Sequence, residues 1–276
     1  MWKQVDTDTD TQCSDCREHM KRANLSTTRT IDCGNTSRGL LTGILTLLGV
    51  ISSLIAFFML TTTDYKNLIA TLFVQNYQIA MYLTMTVVAV VVLLKLRALD
   101  FNSCRSTIME DMLLIICTAA LFTYDIIGII ASLYSINKLK AILLLATSIS
   151  RLLQSVIQMS AIMMGLKLCV PDIKGVSPQN KKPGRECVTF LAAANISLWI
   201  LSLFSNVTSQ GFEIQLLMLG QAPWSVVSNV AGPFVTFYHL FSASCLIDIW
   251  YNAYRLPSPP PAELWEIRRH SLLRYI

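Results

Sequence analysis

The sequence has 276 residues, of which 53% are hydrophobic and only 14% are charged, and its formal net charge is +5. Soluble domains carry about 25% charged residues, so this composition argues against a water-soluble fold. A bilayer core about 30 Å thick needs roughly 20 apolar residues per helical crossing, which gives this length room for five to seven crossings.

The first 38 residues form a polar segment that we expect to be a cytosolic tail. Its start, MWKQVDTDTD, lacks the apolar stretch of a secretory signal. The first transmembrane helix is therefore expected to act as the insertion signal.

The cysteines and the histidine of this tail follow the spacing C-x2-C-x2-H-x13-C, formed by Cys13, Cys16, His19 and Cys33. A Cys3His set is one that structural zinc uses. The alternative is a set of reduced thiols in a mobile, Thr-rich cytosolic segment. No other cofactor is indicated.

Long apolar runs predict six transmembrane helices. The predicted spans are 39–60, 70–94, 112–134, 141–166, 187–205 and 224–249. Runs such as VVAVVVLL at 87–94 are too continuous for the alternating pattern of a membrane β-barrel. Since lipid offers the backbone no hydrogen bonds, helices are the remaining option. The expected fold is an all-α polytopic membrane protein, a bundle of six transmembrane helices over residues 39–254.

The basic residues predict the orientation of these helices. Eighteen of the 22 Lys and Arg residues fall in the two tails and in the loops after the second and fourth helices. The opposite side holds only Lys66, Lys138 and Lys140. Because positively charged loops stay cytosolic, both termini are expected in the cytosol. The same distribution explains the net charge without nucleic-acid binding.

The C-terminal tail, 255–276, begins with a stiff polyproline spacer, PSPPPA at 257–262. After it, apolar residues interleave with Arg268, Arg269 and Arg274. This pattern is typical of an amphipathic helix at a membrane surface, and a frayed tail is the alternative.

Two ionisable residues lie at matched depths in the third and fourth helices. Asp125 and Arg151 are each roughly 13 to 15 Å from the outer end of their helix, at a rise of about 1.5 Å per residue. Charged side chains at this depth are costly and mark either a paired structural site or an ion pathway. The two residues are therefore expected to form a buried ion pair or to line a path.

Further polar residues lie on the fourth, fifth and sixth helices. Arg151, Gln154 and Gln158 continue a stripe that starts at Thr147 and follows the helical period. Such a stripe either joins helices by hydrogen bonds or lines a wet passage. Asn195 and His239 lie at similar depth, and an imidazole with a pKa near 6.5 can accept and release protons at physiological pH. A hydrogen-bonded structural histidine is the alternative.

Enzyme chemistry is not indicated, because no HExxH, GxSxG or Walker-type motif occurs. The chain instead carries two long stretches, KKPGRECVTFLAAANISLW at 181–199 and APWSVVSNVAGPFVTFYHLFSASCLIDIWYNAY at 222–254. These stretches resemble the penultimate and last helices of the otopetrins. The resemblance covers roughly 75–255.

Otopetrins, as a family, are homodimeric proton channels whose twelve helices form two six-helix halves, and this chain resembles only the second half. The resemblance therefore implies a six-helix bundle like one half-barrel of an otopetrin. It also implies family roles for the following positions: Gln154, Arg185, Glu186, Asn195, Trp199, Trp250 and Tyr254. At five polar positions the chain departs from the family: His239 replaces an arginine, Asn229 and Phe241 each replace a histidine, Thr118 replaces a glutamine and Ser160 replaces an acidic residue.

The function expected from this resemblance is that of a proton-selective channel or channel subunit. Protons are then the transported species, with a path near Gln154, Gln158, Asn195, Asn229 and His239. The expected location is the plasma membrane, as a homo-oligomer or in assembly with a full-length otopetrin. The alternatives are a non-conducting half-channel that assembles with such a relative and a small-solute transporter.

Overall fold

The computed structural model describes residues 37–60, 64–96, 100–101, 107–169, 184–207 and 213–252. The helices are α1 (Ser37–Leu60), α2 (Asp64–Leu96), α3 (Ile108–Tyr134), α4 (Leu139–Gly165), α5 (Arg185–Val207), α6 (Glu213–Leu219) and α7 (Gln221–Asn252). Within the described ranges six helices, all except α6, are long and apolar enough to cross a membrane. The six predicted spans are therefore confirmed, although α2 begins earlier than predicted.

Two features add to the predicted all-α fold. The segment EIQLLML forms α6, which is too short to cross a bilayer. Two strands of two residues each, β1 (Asp100–Phe101) and β2 (Leu168–Cys169), pair antiparallel. They connect the segments after α2 and α4, so those two loops lie at the same end of the molecule. We call this the strand end and the opposite end the α6 end.

The six long helices close into a ring. Each packs against two neighbours, and the order around the ring is α1, α2, α4, α3, α7, α5 and back to α1. Contacts of α2 with α5 and of α4 with α7 cross the ring. The centre is therefore filled by side chains, including the fully buried Met85, Leu121 and Leu198.

The outer surface of the ring is apolar. On α1, Leu41, Ile55 and Met59 are exposed, and α1 is the least buried of the six long helices. In a membrane protein such side chains face lipid or another membrane-embedded surface. Several polar residues of the spans, among them Asp125, Gln154 and Asn195, are instead buried inside the ring.

Two glycines bring α1 close to α5. A Cβ added at Gly39 would overlap the Glu186 carbonyl group, and one added at Gly43 would overlap the Ala193 side chain. This GLLTG segment has the small-xxx-small spacing that lets membrane helices approach closely. The start of α5 is also shaped by a glycine, since Gly184 has a φ of 82°, in the left-handed region.

The strand end is held by polar contacts as well as by the strand pair. Lys167 Nζ lies 2.9 Å from Asp111 Oδ2, which links the end of α4 to the start of α3. Thr107 Oγ1 donates to the same Asp111 oxygen at 3.1 Å. The carboxylate also lies in the first turn of α3, where the helix dipole favours negative charge.

Candidate functional site

Four polar side chains meet in the centre of the ring. Gln154 and Gln158 come from α4, Asn195 from α5 and His239 from α7, and each is completely buried. The two glutamines are one helical turn apart and so lie on the same face of α4. The ring brings this face opposite α5 and α7, which is how residues far apart in sequence become neighbours.

Direct hydrogen bonds connect these four side chains, which we call the amide network. Gln154 Nε2 donates to Gln158 Oε1 at 2.7 Å. Gln158 Nε2 donates to Asn195 Oδ1 at 3.1 Å, and Asn195 Nδ2 donates back to Gln158 Oε1 at 3.0 Å. Asn195 Nδ2 also donates to the Leu191 carbonyl at 2.8 Å. His239 Nδ1 lies 3.3 Å from Asn195 Oδ1.

The network determines which histidine nitrogen carries a proton. Asn195 Oδ1 can only accept, so His239 Nδ1 is the donor and the neutral ring presents Nε2 as an acceptor. His239 Nε2 and Gln154 Oε1 are both buried and have no hydrogen-bond partner within the described part of the chain. The network therefore offers two acceptors to a water molecule or a hydrated proton.

Asp125 and Arg151 form an ion pair between α3 and α4. Arg151 Nε donates to the two carboxylate oxygens at 3.0 and 2.9 Å, and Nη2 also contacts Oδ1. Asp125 is 0% exposed, whereas the Arg151 side chain is 14% exposed. The guanidinium carbon lies 5.4 Å from the Tyr124 ring centre, within cation–π range.

Tyr82 connects the ion pair to the amide network. Its ring stacks on His239, with 6.3 Å between centroids, and its hydroxyl group interacts with Arg151. The Tyr238 ring also contacts the imidazole, edge to face, with 5.4 Å between centroids. His239 thus contacts two tyrosines, and one of them, Tyr82, also interacts with Arg151.

A cavity of about 140 Å³, which we call the vestibule, lies inside the ring toward the α6 end. Arg151, from the middle of α4, is its deepest residue along that helix. The other lining residues are Leu54, Phe57, Phe58, Thr71, Val74, Gln75, Gln78, Tyr124, Leu144, Thr147, Leu201, Phe204 and Gln215. The vestibule therefore extends from the α6 end down to the ion pair.

Toward the strand end, the amide network is followed by apolar packing. We call this the apolar layer, and its members are at most 1% exposed: Val92, Leu96, Leu114, Ile162, Leu166, Val188, Leu191, Leu246 and Ile249. Ile162 and Leu191 lie one turn beyond Gln158 and Asn195 in this direction. The apolar layer thus separates the amide network from the polar contacts of the strand end.

The otopetrin family profile matches residues 1–240 of this sequence. The chain belongs to the otopetrin family. It is 30% identical to "Proton channel OtopLc" of Drosophila melanogaster over 228 residues, which is 82% of this chain and 14% of that protein. It is 33% identical over 66 residues to "Proton channel OTOP1" of Rattus norvegicus and of Mus musculus, which is 24% of this chain and 11% of each relative. The chain thus spans a small part of the curated relatives it matches.

Among the otopetrin positions named from the sequence, Arg185 and Trp250 meet at the strand end. The guanidinium carbon of Arg185 lies 4.4 Å from the Trp250 ring centre, and Arg185 is buried. This contact joins the start of α5 to the end of α7. Glu186 and Trp199 are half-buried on α5, with Glu186 next to Gly39.

Asn229, named as a candidate for the path, lies apart from the amide network. It is exposed on α7, and its Nδ2 donates to Ser225 Oγ at 3.3 Å. Asn229 and His239 are ten residues apart, which is about 2.8 turns, so they point in directions roughly 80° apart. The ten residues also separate them by about 15 Å along the helix axis, so Asn229 and His239 share neither depth nor face.

Five named positions lie outside the described residues: Cys13, Cys16, His19, Cys33 and Tyr254. The zinc site of the N-terminal tail therefore stays a prediction. Within the described ranges no cluster of three or more His, Cys, Asp or Glu side chains could hold a metal ion.

Several contributors to the site were not named from the sequence. Tyr82, Gln75 and Gln215 reach the ion pair or the vestibule, yet only the ring order of the helices reveals it. The polar side chain of Gln75 in an apolar helix is a weak signal that the sequence did contain. Gln215 lies in a segment too short to read as a membrane helix.

Proposed function

We propose that this otopetrin-family chain acts as a proton-selective channel or channel subunit. The single observation that carries the proposal is the fully buried amide network inside a ring of membrane-spanning helices. Buried polar groups at membrane depth are costly and mark transport paths or structural contacts. Three relatives of the chain are named proton channels, which favours transport.

The proposed path begins in the vestibule, passes the ion pair and reaches His239. His239 Nδ1 is held by Asn195, so Nε2 is the nitrogen that can bind a proton from adjacent water and release it again. The amide groups of Gln154, Gln158 and Asn195 do not release protons at neutral pH. Their role in the proposal is to position water by donating and accepting hydrogen bonds, and the protons move between water molecules.

Proton flux into liposomes that contain the purified chain and a pH-sensitive dye tests this proposal. With acid outside and a K⁺/valinomycin path for charge balance, we expect acidification that depends on the protein. Asn195→Leu removes the central member of the network and should lower the flux at least tenfold. Asn76→Leu is the matched control, because Asn76 is exposed and bonds only within its own helix. A wild-type chain without proton flux contradicts the proposal.

We also propose an orientation and a cellular location. The basic loops, both tails and the strand end lie in the cytosol, and the vestibule faces the outside of the plasma membrane. In this arrangement residues 1–38 and 255–276 form cytosolic tails that flank the six-helix domain at 39–254. Epitope tags at either terminus should stain only after permeabilisation. Staining of intact cells contradicts this orientation.

A second candidate function is that of a non-conducting partner of a longer otopetrin. The observation that favours it is the apolar layer, which closes the strand end of the ring. In both proposals the chain works in an assembly, as a homo-oligomer or with a full-length otopetrin. Co-purification with such a relative, together with no flux from this chain alone, distinguishes the second candidate from the first.

A further inference from the structure

We infer that the vestibule is a binding site for a small neutral molecule that combines a benzene-sized apolar body with a carboxamide head. The inference depends on the cavity and its lining, and it does not require that the chain conducts protons. Four properties of the vestibule restrict the ligand: the cavity volume, the apolar wall, the unpaired acceptors and the charge at the deep end.

The volume of the vestibule sets the size of the ligand. At about 140 Å³ it is close to the engineered apolar cavity of about 150 Å³ that binds benzene in another protein. It is smaller than the pockets of roughly 300 to 1,000 Å³ that hold drug-sized molecules. One six-membered ring with a short polar substituent fits this size, because the cavity is partly open.

The wall nearer the α6 end is mainly apolar and aromatic. Leu54, Phe57 and Phe58 come from α1, and Leu201 and Phe204 come from α5. Phe58 and Phe204 meet edge to face, with 6.2 Å between their centroids. This wall suits a flat apolar body, because aromatic rings pack well in edge-to-face and offset arrangements.

Two glutamine oxygens in the wall lack donors. Gln75 Oε1 and Gln215 Oε1 are buried and have no hydrogen-bond partner within the described ranges, and Gln215 is 1% exposed. Both residues line the vestibule. A buried acceptor without a partner is destabilising, so a ligand that supplies N–H groups here gains binding free energy.

The charge at the deep end determines which donor group is favoured. Arg151 is partly exposed whereas Asp125 is fully buried, so an occupant of the vestibule faces the cation of the pair. This arrangement disfavours an ammonium ligand. A carboxylate ligand would suit Arg151 but could donate nothing to Gln75 or Gln215. A primary carboxamide supplies N–H donors for the glutamine oxygens and a carbonyl acceptor for Arg151.

Benzamide is the probe for this site. We measure the thermal unfolding midpoint of the full chain in lipid nanodiscs against benzamide concentration, because a ligand of the folded state raises the midpoint. We expect a saturable rise with benzamide. Toluene lacks the head group, benzylamine is cationic and benzoate is anionic at pH 7, and we expect each to bind at least tenfold more weakly.

Variants of the wall separate a specific site from partition into the lipid. Gln75→Leu and Gln215→Leu should each weaken benzamide binding about tenfold. Asn76→Leu, on the exposed face one residue away, should leave binding unchanged. Leu144→Trp fills the cavity and should abolish the saturable rise.

The expected loss in the glutamine variants supports the inference even if the chain shows no proton flux. An equal rise with toluene or unchanged benzamide binding in Leu144→Trp overturns it. If a glutamine variant does not fold, competition between benzamide and benzylamine on the wild-type chain still tests the preference for a neutral head, and equal affinity overturns it.

Discussion

The contact between Asp125 and Arg151 shows how two charges can lie within an apolar bundle. The fork of the guanidinium group meets both carboxylate oxygens, and Tyr124 covers the cation. Each charge is stabilised mainly by the other, because lipid-facing side chains surround the ring. Stability should therefore depend on the pair more than on either member.

We predict that Asp125→Ala and Arg151→Ala each lower the free energy of unfolding by about 3 to 5 kcal/mol, because either change leaves one buried charge without its partner. The double variant should lose less than the sum of the two single losses. Thermal unfolding of the four proteins in the same detergent measures this coupling. Additive losses would show that the contact contributes no interaction energy.

The residue scale also shows what the sequence could and could not predict. Matched depth correctly brought Asp125 and Arg151 together, and the helical period placed Gln154 and Gln158 on one buried face. The family resemblance placed Asn229 near the same path as His239, but Asn229 lies exposed and about 15 Å away along α7. The pairing of Tyr82 with His239 needed the ring order, which no local pattern contains.

At the scale of elements, α1 is packed closely on α5 through its glycines. It is the least buried long helix, so little apolar packing within the chain holds it. Gly43 lies against Ala193 with no room for a larger side chain. Membrane helices lack a hydrophobic driving force toward each other, so such close backbone packing is a main source of their association.

We predict that Gly43→Leu displaces α1 from α5 and lowers the unfolding midpoint of the protein in detergent. Thr42→Leu is the matched control, because Thr42 is exposed and its hydroxyl bonds only to carbonyls of its own helix. Crosslinking between cysteines placed on α1 and α5 should also fall in Gly43→Leu. An unchanged midpoint and unchanged crosslinking would mean that the α1–α5 contact tolerates a large side chain.

Element lengths were predictable, whereas element neighbours were not. Hydrocarbon-length apolar runs specify a helix of about 20 residues wherever they occur, which is why all six spans were found. The pairing of α1 with α5 depends on small residues such as Gly39 and Gly43. A glycine in the sequence does not show which helix packs against it. The strand pair was missed because two-residue strands leave no periodic signal.

Across the whole molecule, polarity changes along the ring axis. The vestibule and the ion pair lie toward the α6 end, the amide network lies in the middle, and the apolar layer lies between the network and the polar contacts of the strand end. Water is stable where hydrogen-bonding groups are available and unstable in a small apolar space. The apolar layer is therefore the part of the ring that opposes proton passage most strongly.

Substitution of Leu191 tests whether the apolar layer is the barrier to protons. Leu191 belongs to this layer and lies one turn from Asn195 on α5. We predict that Leu191→Asn raises the proton flux into liposomes several-fold at a fixed pH gradient, since an amide group in the layer favours water there. Leu191→Met keeps the layer apolar and should leave the flux close to that of the wild type. Equal flux in the Asn and Met variants, with both folded, would mean that the apolar layer is not the barrier. In the expected case the rate of passage is set by hydration of one layer, while the amide network holds the water above it.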